Sequence, residues 1–147
     1  MDIKEELNKR IAALQTESLT NKNNLEAFEK AQESRIDGIF KEFLSVVDTF
    51  DRAEKTIKER GLDQEENAKK AINRLLNAKK KALSVLEKFD VKKIEFEDGH
   101  SIPELCSVAD TEPDPDKKSG DIISIEREGY TRKGKLLRAA EVVIVKN

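Results

Sequence analysis

Cysteine occurs once, at Cys106, so the chain carries no internal disulfide framework and fits a reducing compartment. Histidine also occurs once, at His100, and no Cys/His spacing suited to a metal ion is present. Aromatic residues make up only 5% of the 147 residues, poor material for one large core. No proline precedes Pro103, and Gly38 is the only glycine before Gly61. The first sixty residues therefore contain almost nothing that stops a helix. No apolar run approaches the roughly 20 residues of a membrane span. The start, Met1-Asp2-Ile3-Lys4-Glu5-Glu6, is too acidic for a secretory or transit signal. Charge of either sign is scarcely in excess: 28 basic against 30 acidic residues leave a net −2. That balance offers no broad field for nucleic acid and no attraction to a membrane. The expected location is cytoplasmic.

Catalytic groups are missing too. Cys106 has no histidine near it in sequence and reads as a small core hydrophobe rather than a nucleophile. His100 sits beside a turn and reads as a solvated loop residue. Gly129 and Gly134 do not make a phosphate loop, and Asp110, Asp114, Asp116 and Asp121 lack calcium-loop spacing. No enzyme, metal or cofactor is expected. Function must come from surfaces.

What the chain does have is helical periodicity. Leu7, Ile11, Leu14, Leu25, Phe28, Ile36, Ile39, Phe43, Val46, Val47, Phe50 and Ile57 recur at spacings that point them to one side of a helix. A helix of sixty residues would reach roughly 85–90 Å. No domain of this size is so wide, which predicts a partner helix and a homodimer. Ser18, Asn21 and Gln32 interrupt the seam with polar groups, which fix register at a cost in stability. Leu25, Ile36 and Val47 are eleven apart, as are Phe28, Ile39 and Phe50, a repeat that favours nearly straight paired helices. The predicted dimerisation residues are Leu25, Phe28, Ile36, Ile39, Phe43, Val47 and Phe50. From Ile36 to Phe50 the apolar face widens, as in a helical bundle.

Gly61 predicts a helix C-terminal cap, and Asp63 with Glu66 has capping-box spacing for a second helix over about 64–88. Lys79, Lys80, Lys81 and Lys88 on that helix read as a solvated face near a helix C-terminus. The aromatic interleaving of a nucleic-acid patch is absent. After Asp90 the period becomes β-like. Strands are predicted at 91–97, around Pro103 within 102–109, at 122–126, at 136–138 and at 141–146. A surface loop is predicted at 111–120, with turns at Asp98-Gly99, Glu128-Gly129 and Lys133-Gly134. The fold class is α+β: a dimerisation helix over 1–62, a bundle helix over 63–89 and a small β domain over 90–147.

The run Gly129-Tyr130-Thr131-Arg132-Lys133-Gly134-Lys135-Leu136-Leu137-Arg138-Ala139-Ala140-Glu141-Val142-Val143-Ile144 resembles the signature of the GrpE family. That signature is Gly-aromatic, an acidic residue or Gly after three more positions, then aliphatic-Arg and alternating valines. Phe43-Leu44-Ser45-Val46-Val47-Asp48-Thr49-Phe50-Asp51-Arg52-Ala53 resembles the family's run leading to Asp/Glu-Arg-Ala. Lys88-Phe89-Asp90-Val91 is similar to its Phe-Gly-Val exit from the last helix. Near Pro103 the chain departs from the family pattern: Ile102 replaces an acid, Cys106 a His and Val108 an Ala. Lys135 also stands where Arg is usual.

The resemblance implies a parallel homodimer of long helices with a β domain on each subunit. It implies a nucleotide-exchange factor that binds the nucleotide-binding domain of a DnaK-type heat-shock chaperone, opens its cleft and promotes ADP release. By position in the matched motifs, Arg52, Tyr130, Lys135, Arg138 and Ile144 are the expected partner-binding residues. Tyr130 as a core anchor and Arg138 as an internal ion pair are the competing structural roles. The alternative function is a coiled-coil scaffold or a holding chaperone without exchange activity.

Overall fold

The computed structural model describes residues 2–147. The chain is α+β, with two helices followed by six strands among the described residues. Helix α1 spans Ile3–Arg60, 58 residues without a break. It ends in a Schellman motif: the Leu62 N–H donates to the Ile57 carbonyl at 3.1 Å and the Gly61 N–H to that of Lys58 at 3.4 Å. Gly61 sits at φ +60, where a side chain would be strained. Helix α2 spans Glu66–Lys88. The expected capping box does not form. The helix starts two residues late, Glu65 occupies the N-cap without a side-chain bond, and the Asp63 carboxylate instead accepts from the Gln64 amide at 3.3 Å.

Two compact units divide the chain, residues 1–39 and 40–147. In the first, the apolar positions of α1 are uncovered: Leu7, Ile11, Leu14, Leu25, Phe28 and Ile39 are all exposed. The second unit holds the core. Leu44 and Val47 of α1 pack with Leu86 of α2 and with Val91, Tyr130 and Leu137, flanked by Phe40 and Leu83. Phe40 and Phe89 meet with ring centroids 5.8 Å apart.

The strands form two three-stranded sheets. In the first, β1 (Val91–Lys93), β4 (Tyr130–Arg132) and β5 (Lys135–Arg138) are antiparallel in the order β1-β4-β5. Lys133 and Gly134, both at positive φ, close the two-residue β4–β5 hairpin as a type I′ turn does. In the second sheet β6 (Ala140–Val145) is central, parallel to β2 (Cys106–Glu112) and antiparallel to β3 (Ile122–Arg127). Ala140, Val142, Val143 and Val145 of β6 are buried, as the continuous apolar run of a central strand requires.

Several strand expectations shift. The 91–97 segment is a strand only over Val91–Lys93, and the one bond past it, from the Ile94 N–H to the Gly129 carbonyl at 2.9 Å, keeps the register of the β1–β4 pairing. Pro103 lies in a turn rather than in a strand, and β2 begins after it. Thr111 and Glu112, expected in a loop, belong to β2 because they pair with Ile144 and Val145. Strand β4 was not expected at all. Gly129 before it is buried, and a Cβ there would meet the Ala140 backbone nitrogen at 2.5 Å. That close approach between the two sheets is why this position carries no side chain. Among the described residues no helix is long and apolar enough to cross a membrane.

Candidate functional site

The buried face of α1 carries one anomaly, an acid. Asp48 follows Leu44 by four residues and Val47 by one, so the helical period turns it inward, and it is 9% exposed. A buried carboxylate needs a counter-charge. Arg138 of β5 supplies it. Its Nη1 donates to Asp48 Oδ2 and its Nη2 to Asp48 Oδ1, both at 2.8 Å. The same guanidinium donates from Nε and Nη2 to the Glu128 carbonyl, at 3.1 and 2.6 Å, and lies 5.5 Å from the centre of the Tyr130 ring. Breaking such a pair by removing one partner costs on the order of 3–5 kcal/mol.

Next to this pair, a cleft of about 560 Å³ lies between the C-terminal part of α1 and β3. Asp48, Asp51, Arg52 and Glu54 line one side, and Ile125, Arg127, Glu128 and Glu141 the other. Lys79 of α2 reaches in, its Nζ 2.7 Å from both Asp51 Oδ1 and Glu54 Oε2. Its hydrogen bond, opposed by partial burial, holds the Glu54 carboxyl below the ordinary range. Burial pulls Lys79 itself down, but the bonds to Asp51 and Glu54 outweigh it and leave the ammonium raised. Glu128 moves the other way, because burial, with Asp51 nearby, pushes its carboxyl up. Burial likewise pushes the Tyr130 hydroxyl far up.

The structure sorts the five residues expected to meet a partner. Arg52 is exposed on the rim of the cleft, its Nη2 donating to Thr49 Oγ1 at 3.3 Å. Lys135 is exposed on β5, beside the exposed Leu136. Ile144 is half-buried on the central strand of the other sheet. Tyr130 and Arg138 are interior: the ring is 1% exposed within the core and the guanidinium is spent on Asp48 and Glu128. Neither presents its polar group outward, which corrects the expectation of direct contact for these two. The five do not form one patch.

The seam residues divide as well. Leu25, Phe28, Ile39 and Phe43 are exposed, and Ile36 and Phe50 are half-buried. Val47 is fully buried in its own unit's core, so the expectation that it lies in a dimer seam is corrected. Sequence reasoning missed Asp48 and Lys79. An Asp on the apolar face of α1 was the available signal, since a charge among core positions implies a partner elsewhere in the chain. His100 is exposed as expected, with Nδ1 3.0 Å from Asp121 Oδ1. Cys106 is half-buried at the start of β2. Among the described residues no cluster of three or more His, Cys, Asp or Glu is arranged to hold a metal.

Comparison with known proteins places this architecture. The GrpE family profile matches residues 2–146. Protein GrpE of Shewanella pealeana is 27% identical over 134 residues, covering 90% of this chain and 64% of the relative. Protein GrpE of Shewanella piezotolerans is 29% identical over 117 residues, 79% of this chain and 56% of that one. Protein GrpE of Chromohalobacter salexigens is 28% identical over 116 residues, 79% and 52% of the two chains. The chain thus spans between 52% and 64% of the length of these curated relatives. With a match over nearly its whole length, the chain belongs to the GrpE family.

Proposed function

We propose that this protein is a cytoplasmic nucleotide-exchange factor for a DnaK-type heat-shock chaperone. It docks on the chaperone's nucleotide-binding domain, favours the open form of the cleft, and so releases ADP. Family membership over residues 2–146 is the observation that carries this reading. The mechanism is a population shift: the factor binds the open form more tightly than the closed, and nucleotide weakens its binding by the same factor. Moving a strongly closed equilibrium to a mostly open one needs about 5.5 kcal/mol of differential affinity. A difference of that size calls for a broad contact with both apolar and charged groups. The exposed Arg52, the Lys135–Leu136 edge, and Val108 and Ile125 on the second sheet can supply one.

Two copies act together. The exposed Leu25, Phe28, Ile39 and Phe43 of α1, with Leu75, Val85 and Phe89 from the second helix onward, support a homodimer through the helices. In this division of labour residues 1–62 join the subunits and add Arg52 to the docking surface, 63–89 complete the bundle and 90–147 carry the rest of the chaperone contact.

The test is stopped-flow release of a fluorescent ADP analogue from a DnaK-type chaperone. Release accelerates with added factor, and a Lys135→Glu, Leu136→Ser variant raises the half-saturating concentration while remaining folded and dimeric. Unchanged release with wild-type protein, together with suppressed aggregation of an unfolded client, would instead identify a passive holding scaffold.

A further inference from the structure

The Asp48–Arg138 pair joins groups 90 residues apart in the chain, and its geometry exceeds what core neutralisation requires. Both carboxylate oxygens are engaged, so the contact fixes an angle as well as a distance. The guanidinium's remaining bonds go to the Glu128 carbonyl, in the short link between β3 and β4. One side chain therefore ties together the C-terminal part of α1, the β3–β4 link and the end of β5. Both side chains are nearly sealed, 11% and 12% exposed, so neither is free to reach a second protein. Yet each stands within a few residues of an exposed candidate contact: Asp48 precedes Arg52 on α1, and Arg138 follows Lys135 and Leu136 on β5.

We infer that Asp48 and Arg138 are positioning residues for nucleotide exchange: the pair locks the β4–β5 hairpin to α1, so the Arg52 and Lys135–Leu136 surfaces engage the chaperone as one stiff template. This rests on the exchange reading above. Its physical basis is that a ligand shifts an equilibrium only through its differential affinity for the two states. A template that yields at the joint fits the closed and open clefts about equally well. It still docks, but it no longer discriminates, so the pair controls the maximal rate of release rather than the concentration needed for docking.

The experiment titrates full-length factor against a DnaK-type chaperone loaded with fluorescent ADP. It compares wild type with Asp48→Asn, Arg138→Gln, their double mutant and Arg138→Lys, all checked as folded dimers by circular dichroism and sedimentation. Loss of a charge-assisted bidentate contact corresponds to about a tenfold fall in the saturated release rate for either single mutant. The half-saturating concentration stays within about threefold under the same equal-docking argument. The double mutant is no slower than the slower single mutant, and Arg138→Lys recovers part of the rate. If the neutral variants do not fold, Arg138→Lys and Asp48→Glu carry the comparison, each keeping the charge: the first loses the two-pronged donor and the second displaces the carboxylate by one methylene. The inference is overturned if Arg138→Gln weakens docking with the saturated rate intact while Asp48→Asn is silent, since Arg138 would then be a direct contact. It is equally overturned if every variant keeps the wild-type saturated rate. If wild-type factor itself leaves ADP release unchanged, the exchange reading has failed instead.

Discussion

Gly129 shows how one missing side chain sets the distance between two sheets. A Cβ there would meet the Ala140 nitrogen at 2.5 Å and the Ile94 side chain at 2.9 Å, and the first of these neighbours is backbone. Overpacking at such a contact costs about 1–3 kcal/mol. Gly129→Ala should therefore lower the denaturant midpoint of the 40–147 unit without changing the slope of the transition, a difference that urea titration resolves. If the midpoint is unchanged, the two sheets can part at this point without cost. The sequence marked Gly129 only as a turn residue. Its role depends on Ala140, eleven positions on, approaching from another strand, and no local pattern encodes that approach. Asp48 is the opposite case, because its place on an apolar helical face was visible in the sequence, although the identity of its partner was not.

Among the elements, α1 and α2 are joined by a pH-dependent contact as well as by the apolar packing of Leu44 and Val47 with Leu86. Glu54 is held below its ordinary value of 4.5 by Lys79, so its contribution to stability is present above that value and is lost as pH falls through the lowered one. Lys79 is raised above 10.5, and its contribution is complete below that value and is lost as pH rises through the raised one. Lys79→Met should accordingly lower the melting temperature most between these limits. The gap to wild type should close in strong acid and in strong base, and a gap independent of pH would show that Lys79 acts by packing alone. Partial exposure of all three side chains lets solvent screen the interaction, so the effect is smaller at high salt. Helices were the most legible elements, since α1 and α2 write a 3.6-residue period over many turns. Strands β3, β5 and β6 were legible from β-branched and aliphatic runs. Strand β4, with only Tyr130, Thr131 and Arg132, and the extension of β2 through Thr111 and Glu112 were not. These segments are strands because of what they pair with rather than because of what they contain.

For the whole molecule, the same apolar helix face has two fates. Its residues near Leu25 and Phe28 remain uncovered within one chain, whereas Leu44 and Val47 are sealed by α2 and the first sheet. Leu25→Glu with Phe28→Glu should shift the sedimentation coefficient towards monomer while leaving the β signal in circular dichroism intact. Val47→Glu should abolish that β signal, because it buries an unpaired charge. If Val47→Glu yielded a folded monomer instead, the assignment of that residue to an intrachain core would be wrong. The two sheets also divide the partner residues suggested by the family resemblance, Lys135 in one and Ile144 in the other. Linear order in the signature therefore did not translate into one surface. The position of β6 has a further consequence, for synthesis. Its residues, 140–145, are translated after every other strand among the described residues, yet β6 is the one to which both β2 and β3 bond. On a ribosome the helices can form while this strand is still untranslated, but β2 and β3 must wait as unpaired edges. A nascent chain stalled before Ala140 would thus emerge with its helices made and its second sheet unclosed, itself a candidate client for a chaperone.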